Sequence, residues 1–185
     1  MIIKPILTGL LTIGVLMSVQ ENQAIAQPAP QVLLAGNPKA SSDWIRFTSR
    51  KHGFTALMPG NSKISDRSPK GKKRWSIDGN DSDTTYRITY FDSDTTMQPT
   101  EATMHKFVNY IFKGSKMGEV YRSSINMRGY PGMESSFRLS LGETAPSNGR
   151  MRFFFVGNRL YMVMVINRYA DENKIAGFLQ SFELF

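Results

Sequence analysis

Apolar and polar residues alternate along most of the chain after residue 42, and a period of two is typical of β-strands with one buried face. Turn residues bound these stretches, which predict strands at 44–49, 54–58, 72–78, 84–91, 119–127, 133–141, 150–156 and 159–167. A polar loop is predicted at residues 61–71, between the second and third strands. The pattern therefore predicts a largely antiparallel sheet.

The clearest local pattern is a hairpin near the end of the chain. Gly157-Asn158 suits the positive backbone angles of a two-residue turn, and an apolar run lies on each side of it. Residues 160–166 are apolar at every position, which indicates burial on both faces of the sheet. Helices must cover the second face, because they are the only predicted elements that remain.

Two segments have the spacing of amphipathic helices. The first has Pro99 near its start and Gly114 just past its end, and its apolar stripe is Met104, Phe107, Val108, Ile111 and Phe112. The second is capped by Asp171, and its stripe is Ile175, Phe178, Leu179 and Phe182. The predicted fold class is α+β, with about seven or eight antiparallel strands sandwiched by two main helices.

The first 26 residues have the pattern of an export signal. Lys4 precedes an apolar run, and Ala24 and Ala26 supply the small residues of a cleavage site. An uncleaved membrane anchor is the alternative, but a run of roughly 15 residues is short of the ~20 needed to span a bilayer. Residues 1–26 are interpreted as a signal peptide, which predicts a periplasmic or thylakoid-lumen protein, or a protein released to the medium.

The rest of the chain divides into a linker and one domain. Residues 27–42 contain three prolines and no periodicity, which is typical of a flexible tether. Residues 43–185 are long enough for a single core. The chain has no cysteine, so disulfides, thiolate metal sites and N-terminal lipidation are excluded, and we expect a monomer stabilised by packing alone.

The formal charge of +8 favours anionic partners. Loss of the signal removes Lys4 and Glu21, so the charge belongs entirely to the exported part. Export makes nucleic acid an unsuitable target and leaves acidic protein surfaces, membrane-associated complexes, anionic lipid and acidic polysaccharide. A role in solubility alone is the other interpretation of the charge.

The densest basic run is the best candidate for a binding site. Lys70, Lys72, Lys73 and Arg74 lie directly before Trp75, and together they suit an anionic surface. The structural alternative is an edge strand whose charges prevent aggregation.

Three arginines of the long hairpin extend this hypothesis. Arg150 and Arg152 are spaced to share one face of a strand, and Arg159 follows the turn. A guanidinium can form two parallel hydrogen bonds to a carboxylate or phosphate, so this row of arginines could bind acidic groups of a protein partner. Alternatively, these arginines are the solvated sides of half-buried strands.

No cofactor, metal site or catalytic site is predicted. The acidic residues at 78–83 and at 92–94 flank a strand about 26 Å long, so they do not share one site, and each group is typical of a turn. His52 lies in the first hairpin loop and His105 on the polar border of a helix, and neither adjoins a nucleophile elbow. Both are interpreted as plain surface residues.

One segment carries a family resemblance. Residues 52–60, His-Gly-Phe-Thr-Ala-Leu-Met-Pro-Gly, resemble the Gly-Phe…Pro segment that opens PsbP-like and DcrB-like domains, and are similar to a pattern in exported cyanobacterial proteins. The resemblance covers residues 43–185. It implies an antiparallel sheet sandwiched by helices, in a non-enzymatic lumenal or periplasmic protein that docks on a larger assembly, which for PsbP is photosystem II.

Two departures limit this resemblance. Bacterial PsbP proteins are typically lipidated, which this chain cannot be, and no metal-ligand set maps onto its residues. The function expected is therefore a non-enzymatic accessory or binding protein for an acidic protein partner or assembly, with a photosystem-related assembly as one candidate. The alternatives are a peripheral envelope protein that binds anionic lipid or polysaccharide, and a hydrolase with an unrecognised site.

Overall fold

The computed structural model describes residues 43–66, 74–93, 98–140, 146–169 and 171–185. The elements in chain order are β1 (Trp44–Ser49), β2 (Phe54–Pro59), β3 (Lys63–Asp66), β4 (Arg74–Asp81), β5 (Thr84–Asp92), α1 (Glu101–Lys113), β6 (Met117–Met127), β7 (Tyr130–Leu139), β8 (Ser147–Val156), β9 (Arg159–Asn167), α2 (Glu172–Ser181) and β10 (Glu183–Leu184). The predicted signal peptide and linker lie outside the described residues.

The strands form two antiparallel sheets. The main sheet has seven strands in the order β3-β4-β5-β9-β8-β7-β6, and a small sheet has the order β1-β2-β10. Because β5 and β8 flank β9 on its two sides, the apolar hairpin strand is central, as its sequence predicts. The main sheet contains only antiparallel pairs of described strands.

Both faces of the main sheet are covered, which confirms the predicted sandwich. On one face, α2 and the small sheet pack against an aromatic-rich core that contains Trp75, Tyr86, Tyr161 and Phe178. On the other face, α1 packs against a second core rich in Met and Phe. We refer to these as the α2 face and the α1 face. Strand alternation divides the residues of β9 between the two cores.

Local signals place the turns and helix ends. Gly157 has φ of +60°, the left-handed angle that the predicted turn between β8 and β9 requires. Thr100 and Asp171 each accept a hydrogen bond from the backbone N–H three residues later and so cap α1 and α2. The expected cap at Asp171 is therefore confirmed.

The sequence pattern did not predict strand β3. Residues 61–71 were expected to form a loop, but Lys63–Asp66 pairs with β4 as an edge strand. This strand is largely exposed and its side chains are mostly polar, so it lacks the apolar alternation that reveals other strands. A consequence is that β4 is not an edge strand from Trp75 to Asp78, where β3 pairs with it. Residues 70–73, which were alternatively interpreted as a protected edge, lie outside the described residues.

Within the described residues, α1 and α2 are both too short and too polar to cross a membrane.

Candidate functional site

Two of the candidate binding residues, Arg74 and Arg159, lie at one end of the main sheet. Asp66 ends β3 and Arg74 begins β4, and these two strand ends flank residues 67–73. At the same end, Asp92 of β5 lies opposite Arg159 of β9 in the strand register. Lys70, Lys72 and Lys73 lie outside the described residues, but the chain joins them to these two strand ends.

The connection between β1 and β2 adds two further cations at this end. Arg50 and Lys51 lie in a short 3-10 turn and are exposed to solvent. The next residue, His52, packs its ring against those of both Trp75 and Tyr90, at centroid distances of 4.7 and 4.8 Å. The turn is therefore held against the start of β4 and the end of β5. We define the basic end as Arg50, Lys51, Arg74 and Arg159.

His52 is not the surface residue that the sequence suggested. It is only 7% exposed, because its ring stacks on two aromatic rings of the main sheet. Burial lowers the pKa of His52 below its ordinary value of 6.5, and the positive charges of Lys51 and Arg159 lower it further. His52 is therefore neutral at pH 7 and serves to anchor the turn.

Arg159 is tied to its neighbours at this end. Its Nε and Nη2 donate to the two carboxylate oxygens of Asp92, at 2.5 and 3.0 Å. The guanidinium carbon also lies 4.1 Å from the centre of the Tyr90 ring, in cation–π geometry. The bond to Asp92 raises the pKa of Arg159, so the guanidinium remains charged. Arg159 contributes mainly to the rigidity of the basic end, since Asp92 offsets its charge.

Arg74 is held at the base of the basic run. Its guanidinium carbon lies 5.4 Å from the centre of the Phe91 ring on the neighbouring strand. Strand alternation places Arg74 on the α1 face, while Trp75 beside it points into the core of the α2 face. This confirms the predicted opposition of Trp75 and Arg74 across β4.

The structure places Arg150 and Arg152 elsewhere. They share a face of β8 as predicted, but this is the α2 face. Arg152 Nε donates to Glu134 Oε2 at 2.6 Å, and its Nη1 donates to the carbonyl of Leu179 in α2 at 2.8 Å. The Arg152 side chain is only 14% exposed, so its interpretation as a solvated side of the strand is wrong.

The reason is a partly buried ion network beneath α2. Arg150 pairs with the carboxylates of Glu134 and Glu172, at 3.7 and 2.8 Å. Glu134 thus lies between two arginines below the helix. Alternation along β7 separates Glu134 from the apolar face of the strand, but it does not show that α2 will cover the opposite face.

Three of the remaining titratable candidates, Asp78, Asp81 and His105, also have charged partners. Asp78 pairs with Arg87 and Asp81 pairs with Lys174, so the predicted acidic groups are distributed over different ion pairs. His105 Nδ1 lies 3.0 Å from Arg122 Nη1. In the part of the chain that the structure describes, no three acidic or His side chains are grouped to hold a metal ion.

The low pKa of His52 predicts how pH affects stability. Because the folded state holds the neutral ring, the unfolded state binds more protons below pH 6.5. The contribution of His52 to stability should be complete above this pH and should decline as the pH falls toward the lowered value. When the pH is lowered from 7.5 to 5.0, the free energy of unfolding measured in urea should fall less in His52→Phe than in the wild type. Equal losses would contradict the assignment.

A known structure shares this architecture. A solution structure of cyanobacterial PsbP (CyanoP) from Synechocystis sp. PCC 6803 matches 83% of this chain and 99% of its own, with a TM-score of 0.54 and 12% identity. A crystal structure from Bacteroides thetaiotaomicron matches 76% of this chain and 48% of its own, with a TM-score of 0.48 and 10% identity. No protein-family model and no curated protein sequence matches the chain. The likeness to CyanoP shows that the fold is PsbP-like, as the resemblance implied.

Proposed function

We propose that this PsbP-like domain is an exported, non-enzymatic accessory protein, and that its basic end docks on an acidic surface of a protein partner. The observation that carries the proposal is the position of Arg50 and Lys51. These exposed cations lie at the same end of the molecule as Asp66 and Arg74, the strand ends that flank Lys70, Lys72 and Lys73. Cations from two separate parts of the chain thus converge on one end.

The electrostatics favour a protein partner with carboxylates. The carboxylate of Asp92 at this end is paired with Arg159, which leaves the exposed Arg50 and Lys51 as cations available to a partner. Arg50 and Lys51 are exposed and lie in a turn that His52 anchors. Because the backbone of this turn is already ordered, binding costs little of its conformational entropy, which favours specific docking.

Export follows from residues 1–26, whose charge and apolar run resemble a signal peptide. We propose the periplasm or thylakoid lumen as the destination. Because the similar solved structure is a cyanobacterial PsbP, a photosystem-related assembly is the first partner to test.

A non-enzymatic role is supported by the state of the two histidines. His52 is buried against two aromatic rings and is not accessible to a substrate as a general base. The more exposed His105 is engaged on both sides, with Nδ1 3.0 Å from Arg122 and Nε2 3.6 Å from Glu101. An unrecognised hydrolase remains the enzymatic alternative, and release of a product from an envelope fraction would identify it.

A lipid-binding role has one observation in its favour. Phe185 is 59% exposed, and its backbone N–H donates to the carbonyl of Gly53 beside the Arg50–His52 turn. An exposed aromatic ring near cations suits the interface of an anionic membrane. Cosedimentation with phosphatidylglycerol vesicles that contain no protein would support this alternative over a protein partner.

The proposal predicts that capture of the partner depends on the basic end. The double variant Arg50→Glu/Lys51→Glu should recover at least about tenfold less acidic protein from solubilised envelope and thylakoid fractions at low salt. High salt should release the partner from the wild type, because exposed charges are screened beyond about 8–10 Å at physiological ionic strength.

A matched control separates local from overall charge. Lys106 and Lys116 are also exposed but lie in α1 and just before β6, and Lys106→Glu/Lys116→Glu changes the net charge by the same amount. This control should retain capture. Equal losses in the two double variants would show that only net charge matters and would overturn the proposed site.

A further inference from the structure

A polar groove lies at the opposite end of the molecule from the basic end. It has a volume of about 350 Å³ and lies between the start of β1, the end of β2 and the turn between β4 and β5. Trp44 and Pro59 supply its apolar surface, and Asp43, Asn80 and Asp81 supply polar groups. The volume is at the small end of the range of about 300–1,000 Å³ that is typical of small-molecule sites.

The aromatic wall of the groove is rigidly supported. The indole of Trp44 packs perpendicular to the Tyr86 ring, with centroids 4.8 Å apart. Tyr86 is completely buried and also packs against Phe178 of α2. Trp44 itself is only half-buried, so part of this fixed apolar plane lines the groove.

Hydrogen bonds position the polar side of the groove. The side-chain amide of Asn61 donates to the carbonyl of Asn80 at 2.9 Å, which ties the segment after β2 to the end of β4. The Asn80 side chain is exposed and offers both donors and an acceptor. The carboxylate of Asp81 accepts from Lys174 Nζ at 3.0 Å.

These groups discriminate between classes of ligand. The carboxylates of Asp43 and Asp81 disfavour an anion. Lys174 already pairs with Asp81, which reduces the attraction of this carboxylate for a cationic ligand. A neutral molecule with many hydroxyls matches the mixture of donors and acceptors, and the apolar face of a sugar ring matches the indole.

We propose that this groove binds a neutral saccharide, with a sugar ring against Trp44 and its hydroxyls hydrogen-bonded to Asn80 and Asp81. The inference does not depend on the docking function, because the groove and the basic end lie at opposite ends of the domain. It assigns the protein a second ligand of a different chemical class.

Two-dimensional NMR of the purified full chain tests the proposal, with maltotetraose, cellotetraose and chitotetraose as probes. At least one probe should cause a saturable shift of the Trp44 indole N–H signal. The chain has two tryptophans, and the buried Trp75 at the other end of β4 is an internal reference that should not shift.

Two variants assign the binding to the groove. Trp44→Ala should weaken binding at least about tenfold, and Asn80→Ala, at an exposed position that does not threaten folding, should weaken it about fivefold. The control Arg50→Glu/Lys51→Glu should bind the saccharide normally even if it loses the protein partner.

Three results would overturn the proposal. These are the absence of a saturable shift with all three probes, an unchanged affinity in Asn80→Ala, and preferential binding of choline or arginine at the same indole. The last result would identify a cation site instead.

Discussion

Replacement of Glu134 by alanine is expected to lower the free energy of unfolding by about 3 kcal/mol. The Glu134 carboxylate lies between Arg150 and Arg152 below α2 and is only 15% exposed. Its loss leaves the Arg152 guanidinium buried without a carboxylate, and loss of one partner of a buried pair costs far more than the intact pair contributes. The same change removes the group that orients Arg152 toward the Leu179 carbonyl at the end of α2.

Denaturant unfolding followed by circular dichroism measures this cost. The matched control is Glu172→Ala, which also removes a carboxylate partner of Arg150 but at a site that is 65% exposed. An exposed pair contributes at most about 1 kcal/mol, so the control should be only slightly destabilised. Similar losses in the two variants would show that the network below α2 has no special importance.

Replacement of Gly149 by alanine should be similarly harmful, at up to about 3 kcal/mol. Gly149 of β8 lies opposite Phe137 of β7, and an added Cβ would lie 2.2 Å from Cζ of the Phe137 ring. This ring is 1% exposed and packs against Phe112 of α1, so it cannot move aside without disturbing the core. Thermal unfolding should show a clearly lower Tm.

Two companion variants identify the steric cause. Gly118→Ala adds the same methyl group to the edge strand β6, where the nearest atom is the Arg138 carbonyl oxygen at 4.0 Å, and should be almost neutral. Adding Phe137→Leu to Gly149→Ala should recover part of the lost Tm, because the smaller side chain leaves room for the methyl group. If the loss of Tm in the double variant exceeds the sum of the losses in the two single variants, the clash is not the cause.

The periodicity of the sequence predicts most of the fold. The apolar residues 160–166 identify a central strand, and Gly157 and Asp171 mark a turn and a helix start that the structure confirms. The strand Lys63–Asp66 was missed because an exposed edge strand with polar side chains carries no alternation. Periodicity in the sequence reveals a strand when one of its faces is buried. It gives no signal when both faces of the strand are exposed to solvent.

The candidate site was predictable only in part. The run that ends at Arg74 was recognisable as a cluster of charge, but the position of Arg74 at the same end as Arg50 and Lys51 depends on the packing of β1 and β2 over the main sheet. The stacking of His52 on Trp75 and Tyr90 likewise joins residues far apart in the chain. Arg152 was misjudged because a charged residue on a half-buried strand is usually solvated, whereas here Glu134 and a helix carbonyl cover it.

Site-specific photo-crosslinking can determine whether the basic end contacts the partner. A photoreactive residue placed at Lys51 of the basic end, or at Lys106 on the exposed side of α1 as the control, would report which surface contacts the partner in envelope and thylakoid preparations. We expect a crosslinked acidic protein from position 51 that disappears at high salt, and little or no product from position 106. Equal products from both positions, or products from position 106 alone, would contradict docking through the basic end.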